Sequence, residues 1–173
     1  MNIILSNILS VASLVCIFAS MQTKNVKTVL LYQIAINGCG MLSYVLTGTF
    51  AGCGIYLIAV IQSVVFFVLR KTGKTEPRWL FPIVLVAYVI SSVFTFRTWI
   101  DLVPLAAAIL FAIGIAQKKA SNYRLLLLAN GIVWMVYDLA VAAYPMLWPH
   151  IFSAASALLG IIRLDLQKKA KKT

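Results

Sequence analysis

Few side chains in this 173-residue chain could carry acid–base chemistry, since it has four acidic residues and one histidine. Asp138 is the one acid well inside an apolar stretch, whereas Glu76, Asp101 and Asp165 lie at the ends of stretches or between them. A carboxylate among apolar side chains is costly and tends to face a bundle interior or a cavity. We therefore expect Asp138 to line a central cavity and to bind a solute or a proton. The alternative is a hydrated position near the outer surface.

The other candidate site residues are uncharged. Asn37 and Asn130 can hydrogen-bond a polar solute or a neighbouring helix. Trp134 and Tyr137 share a helix face, where they could stack on a solute or form an interfacial girdle. The predicted substrate-binding set is Asn37, Gln62, Ser63, Asn130, Trp134, Tyr137, Asp138 and Ser156.

Catalysis and metal binding are not predicted. His150 is expected at the outer edge of the last helix, away from any partner, and the three cysteines, Cys16, Cys39 and Cys53, are expected to act as packing residues. The chain has no glycine-rich phosphate loop, so no nucleotide cofactor is expected. Any energy input would come from a gradient.

The elements that must position these residues are apolar. Hydrophobic residues make up 62% of the chain and charged residues 11%, whereas a soluble domain has roughly 25% charged residues. Apolar stretches lie near 2–21, 28–47, 52–69, 79–95, 100–116, 124–143 and 149–164. Each is long enough to span a bilayer as a helix, and the first lacks the basic start of a signal peptide. The predicted fold class is an all-α membrane protein with seven transmembrane helices.

The charges between these stretches alternate. Fourteen of the fifteen basic residues fall in the odd-numbered loops and the tail, and Arg97 is the exception. The positive-inside rule then predicts an external N-terminus and a cytoplasmic C-terminus in a bacterial inner membrane. The net charge of +11 is explained by topology signals and lipid contacts, so nucleic acid is not an expected partner.

The chain also contains an internal repeat. A gapless shift of 93 residues superposes Asn37-Gly38 on Asn130-Gly131, Tyr44 on Tyr137, Ser63 on Ser156 and Arg70 on Arg163, but pairs Asp138 with Val45. We therefore predict a three-helix bundle at 1–70, a loop and linker helix at 71–99, a second bundle at 100–166 and a basic tail at 167–173. Two parallel repeats around an inserted helix give a 3+1+3 plan.

This plan resembles the SWEET and PQ-loop superfamily, and within it the YgjV-type bacterial inner-membrane proteins. The resemblance is carried by the Leu46–Gly52 turn, Asp101–Pro104, Trp134 with Tyr137-Asp138, and Ile161–Arg163, and it covers nearly the whole chain. It implies a small-solute transporter, either a uniporter or a proton-coupled carrier, for sugars or similar polar metabolites. The chain departs from the sugar-transporting members of this superfamily in that Asn37 and Asn130 fall in the second helix of each three-helix bundle.

The predicted function is thus transport of a small polar solute by alternating access, with a proton as the candidate coupling ion. The alternative is a membrane receptor or accessory subunit that uses the same fold without transporting. Two covalently joined repeats make a monomer sufficient and leave a homodimer open.

Overall fold

The computed structural model describes residues 3–22, 26–75, 77–117 and 120–162, and the regular elements in these ranges are all helical. The helices are α1 Ile3–Gln22, α2 Val26–Thr47, α3 Phe50–Lys71, α4 Leu80–Thr95, α5 Val103–Ala116, α6 Ala120–Ala140 and α7 Tyr144–Gly160. A 3-10 turn at Trp99–Leu102 leads into α5. The predicted all-helical fold is confirmed. Glu76, Arg163, Asp165 and the predicted tail at 167–173 lie outside the described residues.

Three helices in the described ranges are long and apolar enough to cross a membrane, with spans at Ile3–Ser20, Lys27–Thr47 and Phe50–Lys71. Leu80–Thr95 and Trp99–Ile115 are shorter apolar helices. α6 has 21 residues and carries Arg124, Asn130 and Asp138, and α7 has 17 residues.

The outer faces of the helices are apolar, and their buried faces include many polar side chains. On α1, Ser6 and Ser13 are fully buried, whereas Ile4 is 71% exposed. A helix in water shows the opposite pattern, with its apolar stripe facing the core. The exposed apolar faces therefore suit a lipid environment, and the buried serines allow close helix contact.

The packing divides the helices into two groups. α1 and α3 both pack on α2, and α5 and α7 both pack on α6. α4 contacts α3 and α5, and the first helix packs against the last, α1 against α7. The four helices that matter most for the site are α2, α3, α6 and α7.

Two similar turns connect these helices. After α2, Gly48 has φ +78° and the Thr49 N–H donates to the Tyr44 carbonyl. After α6, Ala142 has φ +54° and the Ala143 N–H donates to the Asp138 carbonyl. The same backbone features therefore recur 94 residues apart.

Burial follows the same 94-residue interval. The buried residues Ile36, Asn37, Gly40, Ser43 and Tyr44 of α2 correspond to the buried Asn130, Gly131, Trp134, Tyr137 and Asp138 of α6. In the next helices, Ala51, Gly52, Ile55 and Tyr56 correspond to Pro145, Met146, Pro149 and His150. The gapless match at 93 residues is therefore one residue out of register.

One residue corresponds to about 100° of rotation on a helix, so this correction changes which side chains are equivalent. Asp138 corresponds to the buried Tyr44, and not to the exposed Val45. Asn37 and Asn130 do not occupy equivalent places, because Asn37 hydrogen-bonds Ser63 of α3 whereas Asn130 hydrogen-bonds a carbonyl of α5. The match at 93 residues failed because identical residues in two apolar helices do not show which side of each helix faces the interior.

Candidate functional site

A buried carboxylate lies where α2 and α6 meet α7. None of the Asp138 surface is exposed, its Oδ1 accepts a hydrogen bond from the Tyr44 hydroxyl at 2.5 Å, and its Oδ2 lies 2.5 Å from Nδ1 of His150. This burial excludes the hydrated surface position for Asp138. Its role in binding a solute or a proton stays a prediction.

His150 lies inside the bundle, so its predicted position at the outer edge is wrong. The last helix begins at Tyr144, five residues before the predicted start, and His150 is therefore almost two turns inside it. The imidazole is buried, and its Nε2 lies 2.8 Å from the Tyr56 hydroxyl of α3. The missed signal was Pro145, because proline favours the first turn of a helix.

These contacts form one hydrogen-bonded chain across four helices, which runs Tyr44, Asp138, His150, Tyr56. The two bonds at its ends, Tyr44 to Asp138 and Tyr56 to His150, each join residues 94 apart in sequence. Equivalent positions of the two helix groups thus face each other. One group contributes two tyrosine hydroxyls, and the other contributes a carboxylate and an imidazole.

The Trp134 ring holds this chain in place. It is stacked on the His150 imidazole, with centroids 5.3 Å apart and an angle of 14°, and on the Tyr44 ring at 5.7 Å and 26°. The Tyr56 ring lies 5.0 Å from Trp134, and the Tyr137 ring contacts it edge-on at 5.8 Å. These aromatic contacts stabilise the ring positions and keep water away from the carboxylate.

A cavity of about 60 Å³ adjoins the Tyr56 and His150 end of the chain. Its wall combines apolar side chains with uncharged polar ones from both helix groups. The polar members are Gln33, Asn37, Tyr56, Tyr88, Asn130, His150 and Ser153, together with the Trp134 ring. Among the described residues of the wall, His150 is the one that can carry a positive charge, and none is an acid, a lysine or an arginine.

Three of the eight predicted site residues, Asn37, Asn130 and Trp134, line this cavity. The Asn37 Nδ2 donates to the Ser63 hydroxyl at 3.2 Å, and the Asn130 Nδ2 donates to the Ala107 carbonyl at 2.7 Å. Both amides therefore connect helices as well as facing the cavity.

The other five predicted residues do not line the cavity. Tyr137 contacts the Trp134 ring edge-on, and Asp138 contacts His150 of the wall. Gln62 accepts a hydrogen bond from the Tyr88 hydroxyl at 2.8 Å, Ser63 supports Asn37, and Ser156 is half-buried on α7. The structure thus assigns most of these residues to a layer that supports the cavity wall.

Five polar wall residues were not among the predicted site residues, namely Gln33, Tyr56, Tyr88, His150 and Ser153. Tyr56 had no distinguishing sequence signal at an offset of 93, where Pro149 is its partner. At an offset of 94 it pairs with the chain's single histidine. The correct register was the signal that could have found it.

The described residues offer little for catalysis. No group of three His, Cys, Asp or Glu side chains within these ranges could hold a metal ion. The imidazole and carboxylate resemble part of a nucleophilic triad, but the hydroxyls bonded to them are phenols of Tyr44 and Tyr56. The arrangement instead joins a carboxylate and an imidazole, two groups that can each bind a proton.

Apolar outer faces, buried polar side chains and three long apolar spans in the described ranges define an all-helical membrane protein. The chain belongs to the YgjV family of bacterial inner membrane proteins, because the sequence model of that family matches residues 4–168. The predicted family and the inner-membrane location are thereby supported. No curated protein and no solved structure matches the chain.

Proposed function

We propose that this chain is a transporter of a small, uncharged polar solute. The observation that carries the proposal is the central cavity, whose wall draws uncharged hydrogen-bonding groups from α2 and α3 on one side and α6 and α7 on the other. Transporters with internal repeats bind their solutes near the midplane, between the repeats. Charged solutes are disfavoured, because the wall residues that the structure describes include no lysine, arginine or acid to pair with them.

The proposal includes seven membrane spans in a 3+1+3 arrangement like that of the SWEET and PQ-loop proteins. The matching turns, the matching burial 94 residues apart and the position of α4 between α3 and α5 support it. The charge distribution supports an external N-terminus. Reporter fusions at both ends of the chain test this orientation, which predicts opposite sides for the two termini.

Alternating access would require the helix groups to move apart. A cavity of about 60 Å³ is smaller than the engineered cavities of about 150 Å³ that admit benzene, so the described conformation cannot hold a metabolite of that size. Rocking α1–α3 against α5–α7 would break the bonds from Tyr44 to Asp138 and from Tyr56 to His150. These two bonds would therefore hold the two helix groups together in the closed conformation.

Uptake into proteoliposomes tests the proposal. We expect entry of one neutral solute from a panel of glucose, adenosine and nicotinamide, and no entry of glutamate or lysine. Asp138→Asn should reduce uptake at equal protein content, because it alters one of the two hydrogen bonds that hold the helix groups together. Leu139→Ala is the matched control, since Leu139 is next in sequence but 58% exposed. Absence of uptake for every neutral solute would refute the transporter.

The small cavity is the observation that favours the second candidate, a receptor or accessory subunit that does not transport. Such a protein needs no passage, so the closed network around Asp138 could be permanent. A stoichiometric complex with another membrane protein that survives detergent extraction, together with silent proteoliposomes, would support this candidate.

A further inference from the structure

With the Asp138 carboxylate ionised and the His150 imidazole neutral, every hydrogen atom of the Tyr44–Asp138–His150–Tyr56 chain can be assigned. The Asp138 carboxylate accepts from Tyr44 on Oδ1 and from His150 Nδ1–H on Oδ2. With its hydrogen on Nδ1, a neutral imidazole has a free lone pair on Nε2, so Tyr56 must donate its O–H there. Every donor and acceptor is satisfied in this state.

This state carries one net negative charge inside the bundle. The nearest basic residue along α6 is Arg124, 14 residues before Asp138, and along α3 it is Arg70, 14 residues after Tyr56. At 1.5 Å per residue, each is about 21 Å away along its helix. A buried charge is stabilised by a close opposite charge, and the imidazole is the group placed to supply one.

Adding a proton to Nε2 changes the direction of one hydrogen bond. The imidazolium has N–H on both nitrogens, so Nε2–H must donate and the Tyr56 oxygen must accept. The O–H of Tyr56 then loses its acceptor, because the hydrogen bond that the structure gives this hydroxyl is the one to His150. Tyr56 lines the cavity, so the released O–H can turn toward it.

We propose that His150 is a proton-binding site, and that proton binding there releases the Tyr56 hydroxyl as a donor to an oxygen or nitrogen acceptor of the solute in the cavity. This inference rests on the proposed transport function and identifies its coupling ion. Proton and solute would each favour the binding of the other, because coupling between two sites is reciprocal. The added proton brings the net charge of the network to zero. The hydrogen bond that Nε2–H donates to the Tyr56 oxygen replaces the one that the Tyr56 hydroxyl had donated to Nε2.

The groups around the imidazole support this assignment. α6 places Asp138 and Trp134 against it, α3 places Tyr56, and α2 places Tyr44 on the far side of the carboxylate. α1 also packs on α7, and Cys16 is its one ordinarily titratable side chain. A carboxylate beside a stacked imidazole therefore dominates the electrostatics.

The composition of the chain makes a direct test practical. Because His150 is the single histidine, ¹⁵N-histidine labelling of protein in lipid nanodiscs, purified without a histidine tag, gives one imidazole. We expect an imidazole with one N–H, on Nδ1, in alkaline buffer and an imidazolium with N–H on both nitrogens after acidification. In Asp138→Asn the Nδ1–H loses its carboxylate partner, so its ¹⁵N signal should move. An imidazole that keeps a single N–H in the folded protein throughout would overturn the proposal.

A second label tests the release of the hydroxyl. In ¹³Cζ-tyrosine protein, the signal that disappears in Tyr56→Phe should shift in parallel with the His150 titration. The Tyr88 signal, assigned with Tyr88→Phe, should stay constant, because Tyr88 bonds Gln62. A Tyr56 signal that does not follow the imidazole would refute the coupling even if His150 binds a proton.

Uptake separates this inference from the proposed function. If both labels behave as expected but glucose, adenosine and nicotinamide all fail to enter proteoliposomes, the transporter is refuted and the proton site stands. If one of them enters, an imposed acid gradient should raise its uptake in wild type and not in Tyr56→Phe. Uptake that is insensitive to the gradient in wild type would keep the transporter and refute the coupling.

Discussion

Replacing Tyr44 by Phe removes one hydroxyl and keeps the ring. Tyr44 is completely buried, and its hydroxyl donates to the Asp138 carboxylate. Hydrogen bonds to charged groups contribute about 1.5–3 kcal/mol, compared with about 0.5–1.5 kcal/mol for neutral pairs. Tyr44→Phe should therefore lower the free energy of unfolding by an amount in the charged range.

Tyr88→Phe is the matched comparison. Tyr88 is also completely buried, and its hydroxyl donates at 2.8 Å to the neutral amide oxygen of Gln62. Both variants lose one hydroxyl from an enclosed ring, so their difference isolates the charge on the acceptor. We expect Tyr44→Phe to cost about 1 kcal/mol more, which corresponds to roughly a fivefold difference in the unfolding equilibrium.

The assay is reversible unfolding in mixed micelles titrated with dodecyl sulfate at neutral pH, followed by circular dichroism. The double variant Tyr44→Phe with Asp138→Asn adds a thermodynamic cycle, in which the two changes should be non-additive because the residues are bonded. Equal costs for Tyr44→Phe and Tyr88→Phe would refute the reasoning. They would mean that the carboxylate carries no charge, or that the bond is lost in the membrane protein's working state.

Two further predictions concern helix contacts. Gly40→Ala should destabilise the protein by about 1–3 kcal/mol, since its Cβ would overlap the confined Tyr56 ring, whereas Gly38→Ala, with open space around it, should be neutral or stabilising in the same unfolding assay. Asn130→Leu should cost about 0.6–1.7 kcal/mol by removing the bond to the Ala107 carbonyl, and an unchanged stability would contradict a packing role for this amide.

The helical fold follows from composition and from the length of the apolar stretches, because a backbone in lipid must satisfy its own hydrogen bonds. The burial of Asp138 was also predictable, since an acid within an apolar stretch tends to face the interior of a helix bundle. The sequence could not show which partner would satisfy it. That depended on where α7 begins, and the structure places this start at Tyr144 instead of 149.

The rotation of each helix was the information that the sequence lacked. Matching Asn37 with Asn130 by identity was reasonable, but burial matches Asn37 with Gly131. In soluble helices, apolar periodicity marks the inner face. Here apolar residues occupy the outer face as well as much of the interior, so that cue is weak. Without the 94-residue register, Tyr56 and Tyr88 could not be distinguished from ordinary packing residues.

The contact between the first helix and the last has a consequence for biogenesis. Ser6 of α1 hydrogen-bonds Ser43 of α2, but the Ser10 hydroxyl also reaches the sulfur of Met146 in α7, which is synthesised 136 residues later. The ribosome therefore releases α1 into the bilayer long before one flank of its serine face can be covered. The bundle closes only when the final helix arrives, so a nascent chain stalled before α7 would present an open polar seam to lipid and to quality-control proteases.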